Sequence, residues 1–327
     1  MADIRWFGRN DYEHLIVPDL CRFGLDIAVS GDEPAALAVA MNHDLAPAVW
    51  RYCHRHRVPF VSYVWDLPPS RIGEGRYDPV VSLGGRLATV PRIGGPRYTT
   101  RRGYYSRLRF VASHARAVWT PSAASAVDVS RHFGLAPTVV QYCYNSDLFG
   151  PECARNRPTD DADASALRLL SVSRLVAPKN HEAVIRAAAR LGAQVDVIGR
   201  GSSHDAIRAL AQRLGVPLRV RSGLSGAQVV AAYQHASVVV CPSRFEGLGL
   251  TGIEAALCGT PVVASDIEAH REFLGDSPHY FTLDDDDSLV AAIELARTSG
   301  PPPTAHFASL TIGTAAGRFF DELCALL

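Results

Sequence analysis

The segment from Ser243 to Ser265 has the sequence SRFEGLGLTGIEAALCGTPVVAS, and it decides the fold. Before it lies the apolar run Val238–Cys241, which has the length and β-branched composition of a buried strand. A glycine-rich turn, Glu246–Leu250, then leads into residues with helical character. Glycines let the backbone approach a ligand closely, and a helix start offers unpaired N–H groups to an anion. The segment therefore predicts a strand, a binding loop and a helix.

The same alternation of short apolar strands and helical stretches extends along the whole chain. In the first half it predicts strands at 3–7, 25–30, 59–65, 117–120 and 138–142, with helices at 35–55 and 123–133. In the second half it predicts strands at 168–173, 194–199, 218–222, 238–241, 261–264 and 279–282. Helices are predicted there at 181–191, 204–214, 225–235, 252–257, 269–274, 287–298 and 315–327. Such a pattern is typical of parallel α/β sheets, and it predicts two doubly wound, Rossmann-like domains facing a cleft.

The proposed domain boundary is the segment GPECARNRPTDDADASA at 150–166, which is rich in Pro, Asp and Ala and has no apolar periodicity. It predicts one domain at 1–155 and a second at 165–304. A length of 327 residues also favours two domains. With 47% hydrophobic and 20% charged residues, the composition excludes a disordered or low-complexity chain.

Targeting and metal signals are weak. The N-terminus, MADIRWFGRN, lacks the apolar core of a signal peptide, and no run of about 18 apolar residues exists. We therefore expect a cytoplasmic protein, or one peripheral to the inner face of the membrane. The seven cysteines are scattered without a C-x-x-C pair, so neither a zinc site nor a disulfide framework is expected.

Two acidic residues of the deciding segment, Glu246 and Glu254, could face one site. A carboxylate accepts two hydroxyl hydrogen bonds side by side, which suits a sugar or ribose diol. On spacing alone, a capped helix start with an ordinary surface glutamate explains the pattern equally well. Lys179 is the only lysine among 33 basic residues, which favours a specific role for its ammonium group.

The pattern E-G-x-G-L-x-x-x-E-A-x-x-x-G-x-P-V-V-A-S resembles the signature of retaining glycosyltransferase family four, which has the GT-B fold. The resemblance extends over about residues 117–300. Further matching features are Arg174 with Lys179 (R-x4-K), Gly199 with Gly201, the loop around Gly223, and the segment 145–149. The family also implies that the C-terminal helix, about 305–327, packs back on the first domain.

The resemblance implies a role for each matching position. Arg174 and Lys179 would neutralise the donor's diphosphate, Glu254 would hold the ribose, and Glu246 would hold hydroxyls of the transferred sugar. Backbone amides would contact the sugar or phosphate in the loop formed by Gly247, Leu248, Gly249 and Leu250. No metal or cofactor is expected, because two cations and a helix start supply the neutralisation.

The first half departs from the family's pattern. The loop after the first strand has one glycine, Gly8, where members are often glycine-rich. Trp65 stands where many members have a histidine near the reacting carbon, and Asp66 follows it. Asp66 could accept the acceptor's proton, or the donor's own phosphate oxygen could do so. A turn-forming role for Asp66 before Pro68 is an equal alternative.

The implied function is transfer of a hexose from a nucleotide-diphosphate sugar, such as a UDP-sugar or GDP-mannose, to an acceptor hydroxyl with retained configuration. The acceptor would be a glycan, a lipid-linked sugar or a natural product. The alternatives are a GT-B sugar-nucleotide epimerase and an inactive donor-binding subunit. An NAD-dependent oxidoreductase is disfavoured, because His204 replaces the third glycine of the fingerprint at 199–204.

Two charged segments complete the analysis. Asp284–Asp287 contains D-x-D, a metal motif of another glycosyltransferase fold, but its place before a helix favours capping. No acidic residue occurs between Asp78 and Asp128, where eight arginines lie: Arg86, Arg92, Arg97, Arg101, Arg102, Arg107, Arg109 and Arg116. We expect this segment to face an anionic acceptor or to contact an anionic membrane peripherally, and not to bind nucleic acid. Solvation and ion pairs with the acidic half are the alternative.

Overall fold

The computed structural model describes residues 2–8, 13–41, 46–65, 67, 90–92, 95–97, 108–156, 167–300 and 302–327. The chain divides into two compact units. The first unit comprises Met1–Cys143 and Ile312–Leu327, and the second comprises Tyr144–Thr311. Asp66 and most of the arginine-rich segment at 86–116 lie outside the described residues. No helix within the described ranges is long and apolar enough to cross a bilayer.

The first unit contains a six-stranded parallel sheet. Its strands are β1 (Ala2–Phe7), β2 (Ile27–Ala28), β3 (Ala35–Ala40), β4 (Phe60–Tyr63), β7 (Ala117–Thr120) and β8 (Thr138–Val139), in the spatial order β2-β1-β3-β4-β7-β8. A separate antiparallel pair is formed by β5 (Val90–Arg92) and β6 (Gly95–Arg97). The helices are α1 (Glu13–Arg22), α2 (Ala46–His56), α3 (Ala123–Phe133) and α11 (Ile312–Cys324), and residues 108–113 are also helical.

The predicted helix at 35–55 is wrong in its first part. Residues 35–40, AALAVA, form β3 in the middle of the sheet, and the helix α2 begins at Ala46. Alanine favours helices in isolation, but a parallel strand covered on both faces needs only a continuous apolar run. Burial of Leu37, Ala38 and Val39 at 0% exposure is the tertiary gain that overrides the intrinsic preference.

The second unit contains another six-stranded parallel sheet, and it follows the sequence prediction closely. Its strands, in the spatial order β11-β10-β9-β12-β13-β14, are β9 (Arg168–Val172), β10 (Gln194–Ile198), β11 (Leu218–Arg221), β12 (Val238–Cys241), β13 (Val262–Ser265) and β14 (His279–Phe281). The helices are α4 (Pro151–Arg155), α5 (His181–Leu191), α6 (His204–Leu214), α7 (Gly226–His235), α8 (Leu250–Leu257), α9 (Glu268–Leu274) and α10 (Asp286–Thr298). Two 3-10 helices, Ala177–Lys179 and Ala305–Leu310, complete the unit.

The division between the units differs from the sequence-based boundary at 155–165. Residues 144–156 belong to the second unit, and Pro151–Arg155 forms the helix α4 inside the predicted linker. The side-chain amide of Gln234 donates from Nε2 to the backbone carbonyl of Cys153 at 2.8 Å, and this bond joins α4 to α7. Pro at the first helical position explains a helix in a stretch without apolar periodicity. At the other end of the chain, α11 packs against α1 of the first unit.

Candidate donor-binding site

The candidate site lies at the carboxyl edge of the second sheet, where β9, β10 and β12 end. In a parallel sheet the loops at this edge are the usual place for ligands. The loop after β9 carries Arg174 and Lys179, and the loop after β12 carries Glu246. Glu254 follows on α8, which begins directly after that loop.

Lys179 and Glu246 form the central contact of the site. Lys179 Nζ lies 2.5 Å from Glu246 Oε1, with the side chains 12% and 18% exposed. Ser243 Oγ donates a second hydrogen bond to the same carboxylate oxygen at 2.6 Å. Burial alone would raise the pKa of Glu246, but the charge of Lys179 and these two hydrogen bonds outweigh burial and lower that pKa. Glu246 is therefore held as a carboxylate next to a cation.

Glu254 lies close by and is oriented by a tyrosine. It is 4% exposed, and the buried Tyr233 hydroxyl donates to its Oε2 at 2.8 Å. The thiol of Cys241, at the end of β12, lies near Glu246, Glu254 and Lys179. Burial raises the pKa of this thiol, the two glutamates raise it further, and Lys179 lowers it. The prediction that the two glutamates share a site with Lys179 is thus consistent with the geometry.

Arg174 is positioned differently from Lys179. Its side chain is exposed, and it makes no ion pair with any side chain in the described part of the chain. Its backbone is fixed, because the carbonyl oxygen accepts from Val176 N at 3.0 Å and lies 3.3 Å from His181 Nε2. An exposed guanidinium on a fixed backbone is available to an incoming anion.

The glycine loop is built without a side-chain cap. Gly249 precedes α8 with φ of 71°, the left-handed region that favours glycine, and no side chain caps the first helical N–H groups. Gly247 and Leu248 are buried, and Leu250 opens the helix. Thr251 Oγ1 donates to the carbonyl of Val172 at 2.9 Å and so ties α8 to the end of β9. The open helix start faces the same edge as Lys179, which suits an anion.

Gly199 and Gly201 allow two loops to run in contact. A Cβ on Gly199 would lie 1.9 Å from the carbonyl oxygen of Ser173, and one on Gly201 would lie 2.3 Å from that of Leu175. Leu175 N bonds the carbonyl of Arg200 at 3.0 Å between the same loops. Gly223, after β11, has φ of 69° and open space around it. Gly199 and Gly201 thus let the loop after β10 lie against the loop that carries Arg174.

Gly8 and Trp65, which the sequence singled out in the first half, belong to the first unit, and Asp66 lies outside the described residues. Gly8 follows β1 in the first unit. The indole Nε1 of Trp65 donates to the carbonyl of Met41 at 2.5 Å, and Ser125 Oγ donates to the carbonyl of Trp65 at 2.9 Å. Trp65 therefore ties the ends of β3 and β4 to α3.

The four aspartates 284–287 lie at the start of α10, where one caps the helix and the other three pair with arginines. Asp284 pairs with Arg244, Asp286 makes two bonds to Arg186 at 2.6 and 2.9 Å, and Asp287 pairs with Arg190. Asp285 accepts from Ser288 N as the helix cap. Among the described residues, no group of three His, Cys, Asp or Glu side chains is arranged to hold a metal.

The sequence assigned no role to several residues of the site. These residues contact the two glutamates or their neighbours: Tyr233, Ser243, Ser265 and His270. Only their positions in the fold identify them.

Comparison with known proteins agrees with this geometry. Residues 155–305 match the family model described as glycosyl transferases group 1. Over these residues the chain is similar to glycosyl transferases group 1. The resemblance predicted from the Glu246–Ser265 pattern is thereby confirmed at the level of this family.

Curated relatives match part of this chain and part of their own length. The chain is 30% identical over 200 residues to the MMP α-(1→4)-mannosyltransferase of Mycolicibacterium hassiacum, covering 58% of this chain and 47% of that protein. It is 35% identical over 138 residues to the D-inositol 3-phosphate glycosyltransferase of Segniliparus rotundus, covering 39% and 29%. The chain thus spans about half the length of these relatives or less.

A solved structure resembles the whole chain. HepE of Anabaena, crystallised in complex with UDP-glucose, superposes with a TM-score of 0.74 at 15% identity and 100% coverage of both chains. A likeness at this identity shows the fold. The predicted GT-B fold is confirmed: each of the two units contains one Rossmann-like, six-stranded parallel sheet.

Proposed function

We propose that the protein transfers a hexose from a nucleotide-diphosphate sugar to an acceptor hydroxyl, with retained anomeric configuration and without a metal ion. The observation that carries this proposal is the contact of Lys179 with Glu246 beside the open start of α8, with Glu254 next to them. The family of the domain and the mannosyltransferase and glycosyltransferase names of its relatives support it.

The roles follow from the chemistry of each group. Cleaving a sugar–diphosphate bond builds positive charge on the sugar and negative charge on the departing diphosphate. Arg174, Lys179 and the first N–H groups of α8 would stabilise that negative charge, each donor contributing about 3–4 kcal/mol by comparison with similar sites. Glu254, held by Tyr233, would accept hydrogen bonds from the ribose, and Glu246 from the sugar hydroxyls.

The acceptor's proton would pass to an oxygen of the departing phosphate or to Asp66. Trp65 has no basic atom, and its Nε1 is already bonded to a backbone carbonyl, so it cannot accept the proton. This same observation favours the second candidate, a subunit that binds the donor without transferring it.

A turnover assay separates the candidates. The full chain is incubated with a panel of UDP- and GDP-sugars, first without acceptor, and release of the nucleoside diphosphate is measured in the presence of EDTA. A transferase releases it slowly without acceptor and faster with a suitable hydroxyl compound, an epimerase changes the donor sugar, and a binding subunit leaves the donor intact. An absolute requirement for manganese would contradict the metal-free mechanism.

A further inference from the structure

His270 is a buried titratable residue next to the proposed sugar site that the mechanism above does not use. It lies on α9, is 1% exposed, and follows β13 by five residues. Its Nδ1 is 2.9 Å from the carbonyl oxygen of Ser265 and 3.2 Å from the hydroxyl oxygen of the same residue. A buried imidazole with this contact set has a defined protonation state.

The contacts assign the proton to Nδ1. A carbonyl oxygen only accepts hydrogen bonds, so the nitrogen facing Ser265 must carry the hydrogen. Burial lowers the pKa of His270, with Lys179 acting in the same direction, while Glu246 and the Ser265 carbonyl oppose them. The imidazole is therefore neutral, and its Nε2 carries a lone pair.

Two buried serines lie between this imidazole and Glu246. The hydroxyl of Ser265 donates to the backbone carbonyl of Ser243 at 2.5 Å, and the hydroxyl of Ser243 donates to Glu246 Oε1 at 2.6 Å. Ser265 and Ser243 are 0% and 3% exposed. Because the first bond fixes the backbone of Ser243 and the second starts from its side chain, the position of Ser265 beside His270 influences the placement of the carboxylate.

The same imidazole ring packs against the glycine loop at Gly249. A Cβ on Gly249 would lie 3.0 Å from His270 Cδ2 and 3.5 Å from its Nε2. The loop backbone at the start of α8 therefore rests on the edge of the imidazole. The Tyr280 hydroxyl lies 2.7 Å from the Gly275 carbonyl oxygen and 3.1 Å from the His270 carbonyl oxygen, so its hydrogen is shared between two carbonyls at the end of α9.

We propose that His270 is a positioning residue of the donor-sugar site. Its Nδ1–H fixes Ser265, Ser265 in turn fixes the backbone of Ser243, and the Ser243 hydroxyl orients the Glu246 carboxylate towards the sugar. The inference rests on the proposed function, in which Glu246 binds the sugar and not the nucleotide. A change at His270 should therefore affect recognition of the sugar and leave recognition of the diphosphate unchanged.

Three substitutions distinguish the two ring nitrogens. His270→Asn keeps an N–H donor near the Nδ1 position, His270→Gln places its amide near Nε2, and His270→Phe keeps the ring but has no hydrogen-bonding atom. The matched control is His235→Asn on α7, an exposed histidine whose Nδ1 likewise contacts a backbone carbonyl, that of Ala231 at 2.8 Å.

The readouts are the KM for the nucleotide-sugar and the Kd for the free nucleoside diphosphate, with thermal unfolding as a check of folding. We expect KM to rise about tenfold in His270→Phe and His270→Gln and to recover to within about threefold in His270→Asn, with the diphosphate Kd unchanged. His235→Asn should equal the wild type. Loss of diphosphate affinity in step with KM, or an Asn variant as impaired as Phe, would overturn the proposal.

A second measurement does not depend on turnover. Nitrogen-15 NMR of the imidazoles, with His270 identified by its absence in His270→Asn, should show a neutral ring protonated on Nδ1 at pH 7. The resonance should shift in Glu246→Gln, because that substitution alters the acceptor of the Ser243 hydroxyl. An Nε2–H or charged ring would refute the inference even if no donor is turned over, whereas a missing turnover with the expected NMR result would count against the proposed function alone.

Discussion

The ammonium group of Lys179 contacts the Glu246 carboxylate, and we propose that it also binds the donor's diphosphate. Lys179→Ala or Arg174→Ala should each reduce kcat by about 10²-fold, because each removes a preorganised cation from the departing charge. Steady-state assays with a saturating donor measure the effect.

Arg190→Ala is the control for these two variants. It removes an exposed pair with Asp287 on the same unit, and pairs of this kind contribute about 0–1 kcal/mol. Its kcat should match the wild type. Equal activity of Lys179→Ala and wild type would remove the basis for the assigned role.

His181 makes stability depend on pH. Burial lowers its pKa from 6.5 to about 4, with Lys179 acting in the same direction. The folded state therefore binds fewer protons than the unfolded state between these values, so His181 contributes stability above pH 6.5 that is lost as the pH falls towards 4. The free energy of unfolding should fall less steeply in His181→Gln, by up to about 1.4 kcal/mol per pH unit. Urea unfolding at pH 4.5, 5.5 and 7 tests this, and parallel curves for the two proteins would show that His181 does not titrate as described.

At the level of the loops, two glycines allow the β9 and β10 loops to touch. Gly199→Ala should destabilise the second unit by about 1–3 kcal/mol, because its Cβ would lie 1.9 Å from the backbone carbonyl oxygen of Ser173, so that the backbone itself must shift. Gly300→Ala, with open space around its Cβ, should change stability by no more than about 0.5 kcal/mol. Urea unfolding compares the two, and a Gly199→Ala variant as stable as Gly300→Ala would show that the loops separate easily.

The elements that could be predicted from sequence are those with a local signal. In the second unit the hydrophobic periodicity changes clearly from each strand to the next helix. The motif that contains Glu246 and Glu254 identifies the loop between β12 and α8. Residues 35–40 could not be assigned, because AALAVA fits a helix and a buried strand equally well and only the neighbouring strands decide. Likewise α4 is held by Gln234 on α7, a contact that no local pattern contains.

At the scale of the whole molecule, α11 completes the core of the first unit although it comes last in the chain. Phe319 is 0% exposed, and its ring lies 5.6 Å from those of Tyr63 and Trp119. Phe319→Ala should lower the free energy of unfolding by about 3–5 kcal/mol. Phe320→Ala is the control, because its ring contacts the half-exposed Phe23 at 5.5 Å and should cost far less. Equal effects of both substitutions in thermal unfolding would contradict this packing.

The arginine-rich segment at 86–116 remains a sequence prediction. Reversing Arg101 and Arg102 to glutamate should raise the KM for an anionic acceptor and leave the donor KM unchanged, because the local positive field would be lost. Binding to vesicles that contain anionic lipid should weaken as well. If neither acceptor kinetics nor vesicle binding changes, the segment is only a solvated surface.

The central claim is that the second unit binds a nucleotide-diphosphate sugar through Lys179, Glu246 and Glu254. Isothermal titration of UDP and GDP into the full chain and into Glu254→Ala tests it most directly. The account predicts that at least one of the two nucleotides binds the wild type, and that the variant binds it at least about tenfold more weakly, since a buried carboxylate facing the ribose would be lost. Equal affinity of wild type and variant, or no binding of either nucleotide, would contradict it.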